Sequence, residues 1–285
     1  MKPNGLKNKT RENHKIDGLS PDANKLRGHS EIINVETLTK NIDLAWETTR
    51  TPAEFRSKLL AIFRTTLSEG SNFIQDRFLS NNDGAEAVLA QAYLMDSLIK
   101  AALETVDTKL YRAPNPTRGE QLCIIAVGGY GRGELAPFSD IDLLFLLPYK
   151  QTPRVEQVVE TILYLLWDMK LKVGHSTRSI DECMRQAKAD MTVRTAILES
   201  RYICGEISLM EQMIARFREE IIKGSALEFV EAKLKESDDR HRQLGDSRYV
   251  IEPNIKDGKG GLRDLHKLFW IGKYAYKTDD VSALV

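Results

Sequence analysis

Two aspartates separated by one residue stand at the start of an apolar run in the middle of the chain. Asp140 and Asp142 are followed by the apolar residues 143–147. Residues two apart on a β-strand point to the same face with Cα atoms about 7 Å apart, so both carboxylates are expected to face one place. Carboxylate oxygens suit Mg²⁺, which takes its remaining ligands from water and substrate phosphates. The pair therefore predicts a Mg²⁺ site.

A glycine cluster lies shortly before the aspartates. The apolar run 122–127 is rich in β-branched residues, which predicts a buried strand, and it ends at Gly128 and Gly129. Glycines lack a Cβ and let backbone N–H groups approach a polyphosphate closely. Glycines and aspartates together predict a nucleotidyl-transfer site, where metal ions neutralise the α-phosphate and the departing pyrophosphate.

Each part of this pattern alone has an ordinary structural explanation, as a turn or as a solvated strand end. The joint pattern favours a site, because carboxylates at the rim of a buried sheet are costly without a ligand. Other phosphate motifs are excluded: the dinucleotide pattern GxGxxG breaks at Glu134, and no Gly-Lys pair is followed by Ser or Thr.

The elements that must position this site follow from hydrophobic periodicity and turn residues. Helices are predicted to begin at Thr51-Pro52 and after Asp83-Gly84, the second reaching about Tyr111, and turn formers at 113–119 mark a boundary. Beyond it we predict strands at 122–127, 140–147 and 170–178, a helix at 154–169, a helix cap at 179–182, and then helices to residue 285 apart from the glycine-rich stretch 257–261.

Composition restricts the partners and the cellular compartment that we expect for such a site. The 285 residues carry 41 basic and 41 acidic side chains, so the chain is not a generally cationic nucleic-acid binder. Its three cysteines show no CxxC spacing and predict a reducing cytoplasm rather than a disulfide framework or a zinc site. The longest apolar run is too short for a membrane helix, and the N-terminus has no signal-peptide pattern. We expect a cytoplasmic protein without nucleic-acid or membrane partners.

The spacing of the glycine pair and Ser139-Asp140-Ile141-Asp142 resembles the signature of the DNA-polymerase-β-like nucleotidyltransferase superfamily. The longer string VGGYGRGELAPFSDIDLLFL is similar to one branch, the bacterial PII-protein uridylyltransferase/uridylyl-removing enzymes. Two more blocks, at 165–183 and 249–270, support the narrower match. Three blocks in order over most of residues 120–275 are highly specific, whereas the superfamily signature alone is moderately so.

The resemblance implies an α+β fold with a polymerase-β-like domain, a small mixed sheet, N-terminal helices and a C-terminal helical region. It implies that UTP and a tyrosine of the PII regulatory protein are converted to uridylyl-PII and pyrophosphate. Asp140 and Asp142 would hold Mg²⁺ and be catalytic, and Gly128 and Gly129 would bind the triphosphate. The other candidate nucleotide ligands are Arg132 and Ser139, although a solvated arginine and a turn-capping serine are open alternatives.

The third strand departs from the superfamily pattern. Many members carry a third carboxylate there, but residues 170–178 contain no acid, so the third metal ligand is not located. His175 and Arg178 could face the site, although a lone strand histidine is more often structural. In the polar block 252–264, Lys259 and Arg263 could close over the phosphates, or the block is simply an exposed loop before a helix. Asp168 is expected to be structural.

Charge balance, turn formers and the resemblance together divide the chain. We predict a disordered basic tail at 1–30, a helical region at 31–113, the nucleotidyltransferase core at 114–182 and a second helical region at 183–285. The family's HD domain, which removes the uridylyl group, and its glutamine-sensing ACT domains have no counterpart here, so the sequence is expected to be truncated. Two alternatives stay open: an impaired remnant that binds nucleotide or PII, and a nucleotidyltransferase of the same fold with another acceptor.

Overall fold

The computed structural model describes residues 29–245, 252 and 254–276. The predicted basic tail lies outside these residues except for its last two positions, which begin the first helix. None of the helices described is both long and apolar enough to cross a membrane. The helices of the described ranges are α1 His29–Ile32, α2 Val35–Thr48, α3 Pro52–Asn81, α4 Gly84–Thr105, α5 Gly128–Gly131, α6 Pro153–Asp168, α7 Ile180–Ala189, α8 Met191–Leu198, α9 Ile207–Phe217, α10 Ala226–Gln243 and α11 Leu262–Tyr276.

The predicted helix starts are confirmed by their caps. Thr51 accepts the N–H of Glu54 at 3.2 Å in front of α3, and the side chain of Asp83 caps α4 in the same way. Ser179 and Glu182 form a reciprocal capping box before α7. These caps satisfy N–H groups that the first helical turn leaves unpaired, so they set where each helix begins.

Within the described residues, four strands form one mixed sheet in the order β3-β2-β1-β4. β2 and β3 are parallel, whereas β1 is antiparallel to both of its neighbours. The helix α6 supplies the long connection that parallel strands require. The strands are β1 Cys123–Ala126, β2 Ile141–Leu147, β3 Val173–Ser179 and β4 Arg201–Gly205. The predicted α+β class with a small mixed sheet is confirmed.

The strand β4 corrects the prediction that everything after residue 182 is helical. It pairs with β1 in antiparallel register, with Ala126 opposite Arg201 and a register irregularity between Ile124 and Ile125. The segment is only five residues long, and a buried arginine begins it. A short strand with a charged residue at an inward position carries no clear alternation of apolar and polar residues.

The sheet separates two hydrophobic cores. Ile124 and Phe145 face the core that contains the N-terminal helices and α6. Ile125 and Leu144 face the other core, together with residues of α7 and α9. Because successive strand residues alternate between faces, even-numbered positions of β2 belong to the second face. Asp142 therefore lies on the α7 and α9 side of the sheet.

One edge of the sheet brings the predicted site together. β2 and β3 run parallel, so Ile141 and Val173 pair where both strands begin. β1 runs the other way, and its last residue Ala126 pairs with Leu143. The end of β1 and the starts of β2 and β3 therefore meet at the same place.

Candidate functional site

The glycine turn, residues 128–133, follows β1 directly. Gly128 has φ +61°, a left-handed conformation that side chains rarely adopt, and it begins the short helix α5. The carbonyl of Asp142 accepts the N–H of Val127 at 3.0 Å, which ties the turn to β2. The backbone N–H groups at the start of α5 thus lie beside the strand that carries Asp142.

The carboxylate of Asp142 lies between two glycines. A Cβ built on Gly128 would be 3.3 Å from Asp142 Oδ2, and a Cβ built on Gly174 would be 2.3 Å from Asp142 Oδ1. Gly174 is the register partner of Asp142 in β3. The half-buried carboxylate therefore occupies space that a side chain on Gly174 would need, and it leaves little room for one on Gly128. Asp140 is exposed and immediately precedes β2.

The electrostatics at Asp142 favour a cation. Burial raises the pKa of Asp142, and the negative charge of Asp140 raises it further. The charge of Lys256, in the loop before α11, acts in the opposite direction. Two carboxylates that repel each other at a half-buried position gain free energy when a positive charge binds between them.

The acidic pair fits Mg²⁺ by its chemistry. Both groups are hard oxygen donors, and Mg²⁺ is commonly bound by one or two carboxylates, with water and phosphate oxygens as its other ligands. In the described ranges, no cluster of three or more His, Cys, Asp or Glu side chains is placed to hold a metal. Asp140 and Asp142 are thus the residues that could hold the ion, and their roles remain predictions.

Ser139 lies in the turn that leads into β2. Its N–H donates to the carbonyl of Ala136 at 3.1 Å, and the residue is exposed. The preceding Phe138 has φ +66° and is 96% exposed. The backbone of Ser139 therefore helps to close the turn, next to Asp140.

Arg132 is held by two carboxylates of the protein. Its guanidinium pairs with Glu134, with Nε 2.9 Å from Oε2, and with the buried carboxylate of Glu199. Trp270 of α11 donates its indole N–H to the same Glu199. The predicted contact of Arg132 with phosphate remains a prediction, and it would compete with these two ion pairs.

The structure does not bring His175 or Arg178 to the acidic pair. His175 pairs with Leu143, on the opposite face from Asp142, and its ring meets Trp167 edge-on at 5.7 Å between centroids. Arg178 is on the face of Gly174 but four residues further along β3, roughly 13 Å away. Strand alternation separates His175 from the acidic pair and distance along β3 separates Arg178 from it, so a part in the site remains a prediction for both residues.

The loop before α11 contributes a residue that the sequence did not single out. Among the residues of this loop, Lys256 has a charge that acts on Asp142. Arg263 pairs with Asp257, with Nε 2.8 Å from Oδ1, and Lys259 is exposed. Arg263, in the first turn of α11, is thus paired with the loop that precedes the helix. A closing role for Lys259 or Arg263 remains a prediction.

Two further features escaped the sequence-based prediction. Gly174 adjoins Asp142, and the signal for it is a glycine in the interior of the predicted strand 170–178. Tyr130 donates its hydroxyl to Asp96 of α4 at 2.6 Å, and Arg201 of β4 binds the same carboxylate. No local pattern indicates this second group, because its members come from three distant segments.

Comparison with known proteins agrees with this geometry. A model described as nucleotidyltransferase domain matches residues 117–203, which include the glycine turn and both aspartates. A second model, described as GlnD PII-uridylyltransferase, matches residues 228–285. The two matched regions lie on either side of α9.

Three similar curated proteins are named bifunctional uridylyltransferase/uridylyl-removing enzyme. The protein of Azospirillum brasilense is 56% identical over 232 residues, which are 81% of this chain and 25% of the relative. That of Rhodospirillum rubrum is 50% identical over 262 residues, 92% of this chain and 28% of the relative. That of Rhodopseudomonas palustris is 49% identical over 241 residues, 85% and 26% of the two chains.

The chain spans about a quarter of the length of these relatives. The resemblance expected from the three sequence blocks is confirmed by the similarity to all three. The protein therefore contains a nucleotidyltransferase domain and is related to the bifunctional uridylyltransferase/uridylyl-removing enzymes.

Proposed function

We propose that this chain transfers UMP from UTP to a tyrosine of a PII regulatory protein. The observation that carries the proposal is the position of Asp140 and Asp142 beside the glycine turn at one sheet edge. The names of the similar proteins suggest the uridylyl group, and the description of the family model that matches residues 228–285 suggests PII as the acceptor. The tyrosine oxygen would attack the α-phosphorus, the bond to the bridging oxygen would break, and pyrophosphate and the phenol proton would leave.

The residues of the site have separate tasks in this proposal. Asp140 and Asp142 hold Mg²⁺, and the N–H groups at the start of α5 orient the triphosphate. Bound Mg²⁺ supplies neutralising charge for the α-phosphate and the pyrophosphate. Lys256 adds positive charge on the same side and so favours a bound anion. Gly174 leaves the space that the Asp142 carboxylate occupies.

The cytoplasm is the proposed compartment. Cys123, Cys183 and Cys204 are all free thiols. Burial raises the pKa of Cys123 and of Cys183 to about 12, so neither thiol is reactive at neutral pH. Unpaired, protonated thiols agree with a reducing environment.

The experiment is transfer of label from α-³²P-UTP to purified PII protein. We expect labelling that requires Mg²⁺, is lost in the Asp140→Asn/Asp142→Asn double variant, and is absent from PII whose acceptor tyrosine is replaced by phenylalanine. Equal labelling by the double variant would overturn the assigned site. Labelling of another acceptor would favour a different nucleotidyltransferase, and UTP binding without labelling would favour the impaired remnant.

A further inference from the structure

The glycine turn has few side chains with which to fix its own shape. Four of its six residues are glycines, the remaining two being Tyr130 and Arg132. Glycine loses more conformational freedom on folding than any other residue, so an ordered glycine-rich turn needs support from outside. Both non-glycine side chains of the turn are engaged by distant segments of the chain.

Tyr130 is bound at both ends by a buried ion pair. Its hydroxyl donates to Asp96 Oδ1 at 2.6 Å, and its carbonyl accepts Arg201 Nη2 at 3.1 Å. Arg201 also binds Asp96 in a bidentate manner, with Nη1 2.6 Å from Oδ2 and Nη2 3.1 Å from Oδ1. The three residues form a closed hydrogen-bonded triangle that fixes the middle of the turn.

The triangle contains two buried charges, whose removal from water costs free energy. Asp96 and Arg201 are both buried, and Arg201 Nε has no hydrogen-bond partner. Burying two charges often stabilises a protein no more than apolar side chains of similar volume would. What the ion pair supplies, and apolar packing would not, is directional bonds to the hydroxyl and carbonyl of Tyr130.

The segment around Arg201 also supports the rest of the turn. A Cβ on Gly131 would be 2.1 Å from the carbonyl oxygen of Glu199, so turn and segment are in direct contact. The side chain of Glu199 pairs with Arg132. Residues 199–201 therefore brace the glycine turn on the side away from Asp142.

We propose that Asp96 and Arg201 are positioning residues that hold the glycine turn, through Tyr130, in the conformation that binds the triphosphate of the nucleotide. The inference rests on the proposed function and adds to it the residues that shape the nucleotide site. Neither residue needs to touch the nucleotide. They act on the turn through the hydroxyl and the carbonyl of Tyr130. Loss of such a contact should loosen the turn and so lower the affinity for the nucleotide.

The test compares two variants that each remove one buried tyrosine hydroxyl. Tyr130→Phe deletes the hydroxyl bound to Asp96 and leaves the ion pair intact. Tyr274→Phe deletes a hydroxyl that is hydrogen-bonded to Ser225 Oγ at 2.7 Å and to the carbonyl of Ile221 at 3.2 Å, and neither partner belongs to the turn. Mg·UTP binding is measured by calorimetry, UMP transfer by KM and kcat, and stability by thermal unfolding.

We expect Tyr130→Phe to weaken Mg·UTP binding and raise the KM for UTP about fivefold, the effect of one lost hydrogen bond, with kcat nearly unchanged. Tyr274→Phe should lower Tm about as much as Tyr130→Phe does, but it should leave the KM for UTP unchanged. The inference is overturned if Tyr130→Phe binds Mg·UTP as the wild type does, or if both variants raise KM equally. If the wild type binds Mg·UTP without transferring UMP, the proposed function fails and calorimetry alone decides the inference. A wild type that binds no Mg·UTP would overturn both.

Discussion

Gly174 lies directly opposite Asp142 in the parallel pair of β3 and β2, and a Cβ on Gly174 would come within 2.3 Å of Asp142 Oδ1. The substitution Gly174→Ala should therefore displace the carboxylate from its place beside the glycine turn. A shift of about 1 Å in a catalytic group can lower the rate about 100-fold. We expect a loss of this order in UMP transfer, measured as kcat/KM for UTP.

The matched control for that substitution is Gly84→Ala at the start of α4. A Cβ there meets nothing within 4 Å, and the change should leave transfer intact. Stability should change by less than about 1 kcal/mol in either direction. Transfer by Gly174→Ala at the rate of Gly84→Ala would show that the position of the Asp142 carboxylate does not matter.

The two aspartates should be separately essential. Asp140→Asn or Asp142→Asn removes one anionic ligand, and we expect transfer to fall about 100-fold or more, because metal-ion stabilisation is worth several kcal/mol. Asp168→Asn, at the exposed end of α6, is the control with the same chemical change and should retain activity. The measurement is the initial rate of PII labelling over a range of Mg²⁺ concentrations. Unaltered rates in both site variants would contradict the metal assignment.

The protonation of His266 should make the protein less stable in mild acid. Burial lowers the pKa of His266 below 6.5, and the positive charge of Arg132 lowers it further. The unfolded state then binds a proton more readily than the folded state, so this contribution to stability is complete above pH 6.5 and is lost as the pH falls from there through the folded-state pKa. The other charged groups that act on His266 are Glu134, Glu199 and Arg263.

Urea unfolding from about pH 7.5 to about pH 5 tests this expectation. The wild type should lose free energy of unfolding more steeply across this range than His266→Gln, which cannot titrate there. Parallel profiles for the wild type and His266→Gln would contradict the lowered pKa.

Asp264 connects the loop before α11 to α10. Its carboxylate accepts the N–H of Gly260 at 2.8 Å, Arg240 Nη2 at 2.6 Å and a hydrogen bond from His241 at 3.1 Å. The substitution Asp264→Asn removes the charge and one of the acceptor oxygens, so it should destabilise the protein by about 2 kcal/mol. Chemical denaturation measures the change, with Asp257→Asn, which loses one partly exposed ion pair, as the milder comparison. Equal stability of the two variants would show that the network contributes little.

Local sequence patterns predicted much of the fold because the strands and helices around the site are formed by residues that favour those elements by themselves. The strand at 123–126 and residues 143–147 of β2 are continuous apolar runs, and the caps at Thr51, Asp83 and Ser179 mark the helices that follow. Asp142 could be placed because alternation along a strand follows from backbone geometry alone. Its neighbour Gly174 could not be placed, since register between strands is a property of the folded sheet.

The rest of the site depends on contacts between distant segments. Arg201 looks like a surface residue until its partner Asp96, 105 positions away, is known. Because Arg201 is the first residue of β4, its charge also obscured the pattern of that strand. His175 is the reverse case: residue type suggested a ligand, but the alternation of β3 turns it to the opposite face. Residue type thus identifies candidate site residues, and the tertiary fold determines which of them lie together.

The strand β4 also bears on how this domain can be dissected. It covers the edge of β1 by antiparallel pairing, and it lies beyond residue 182, where the sequence placed the end of the core. A recombinant fragment that stops at residue 182 would expose the unpaired N–H and C=O groups of a buried, apolar strand. Such an edge is a template for pairing with other copies and for aggregation. The smallest fragment that contains all four strands of the sheet therefore extends at least through Gly205.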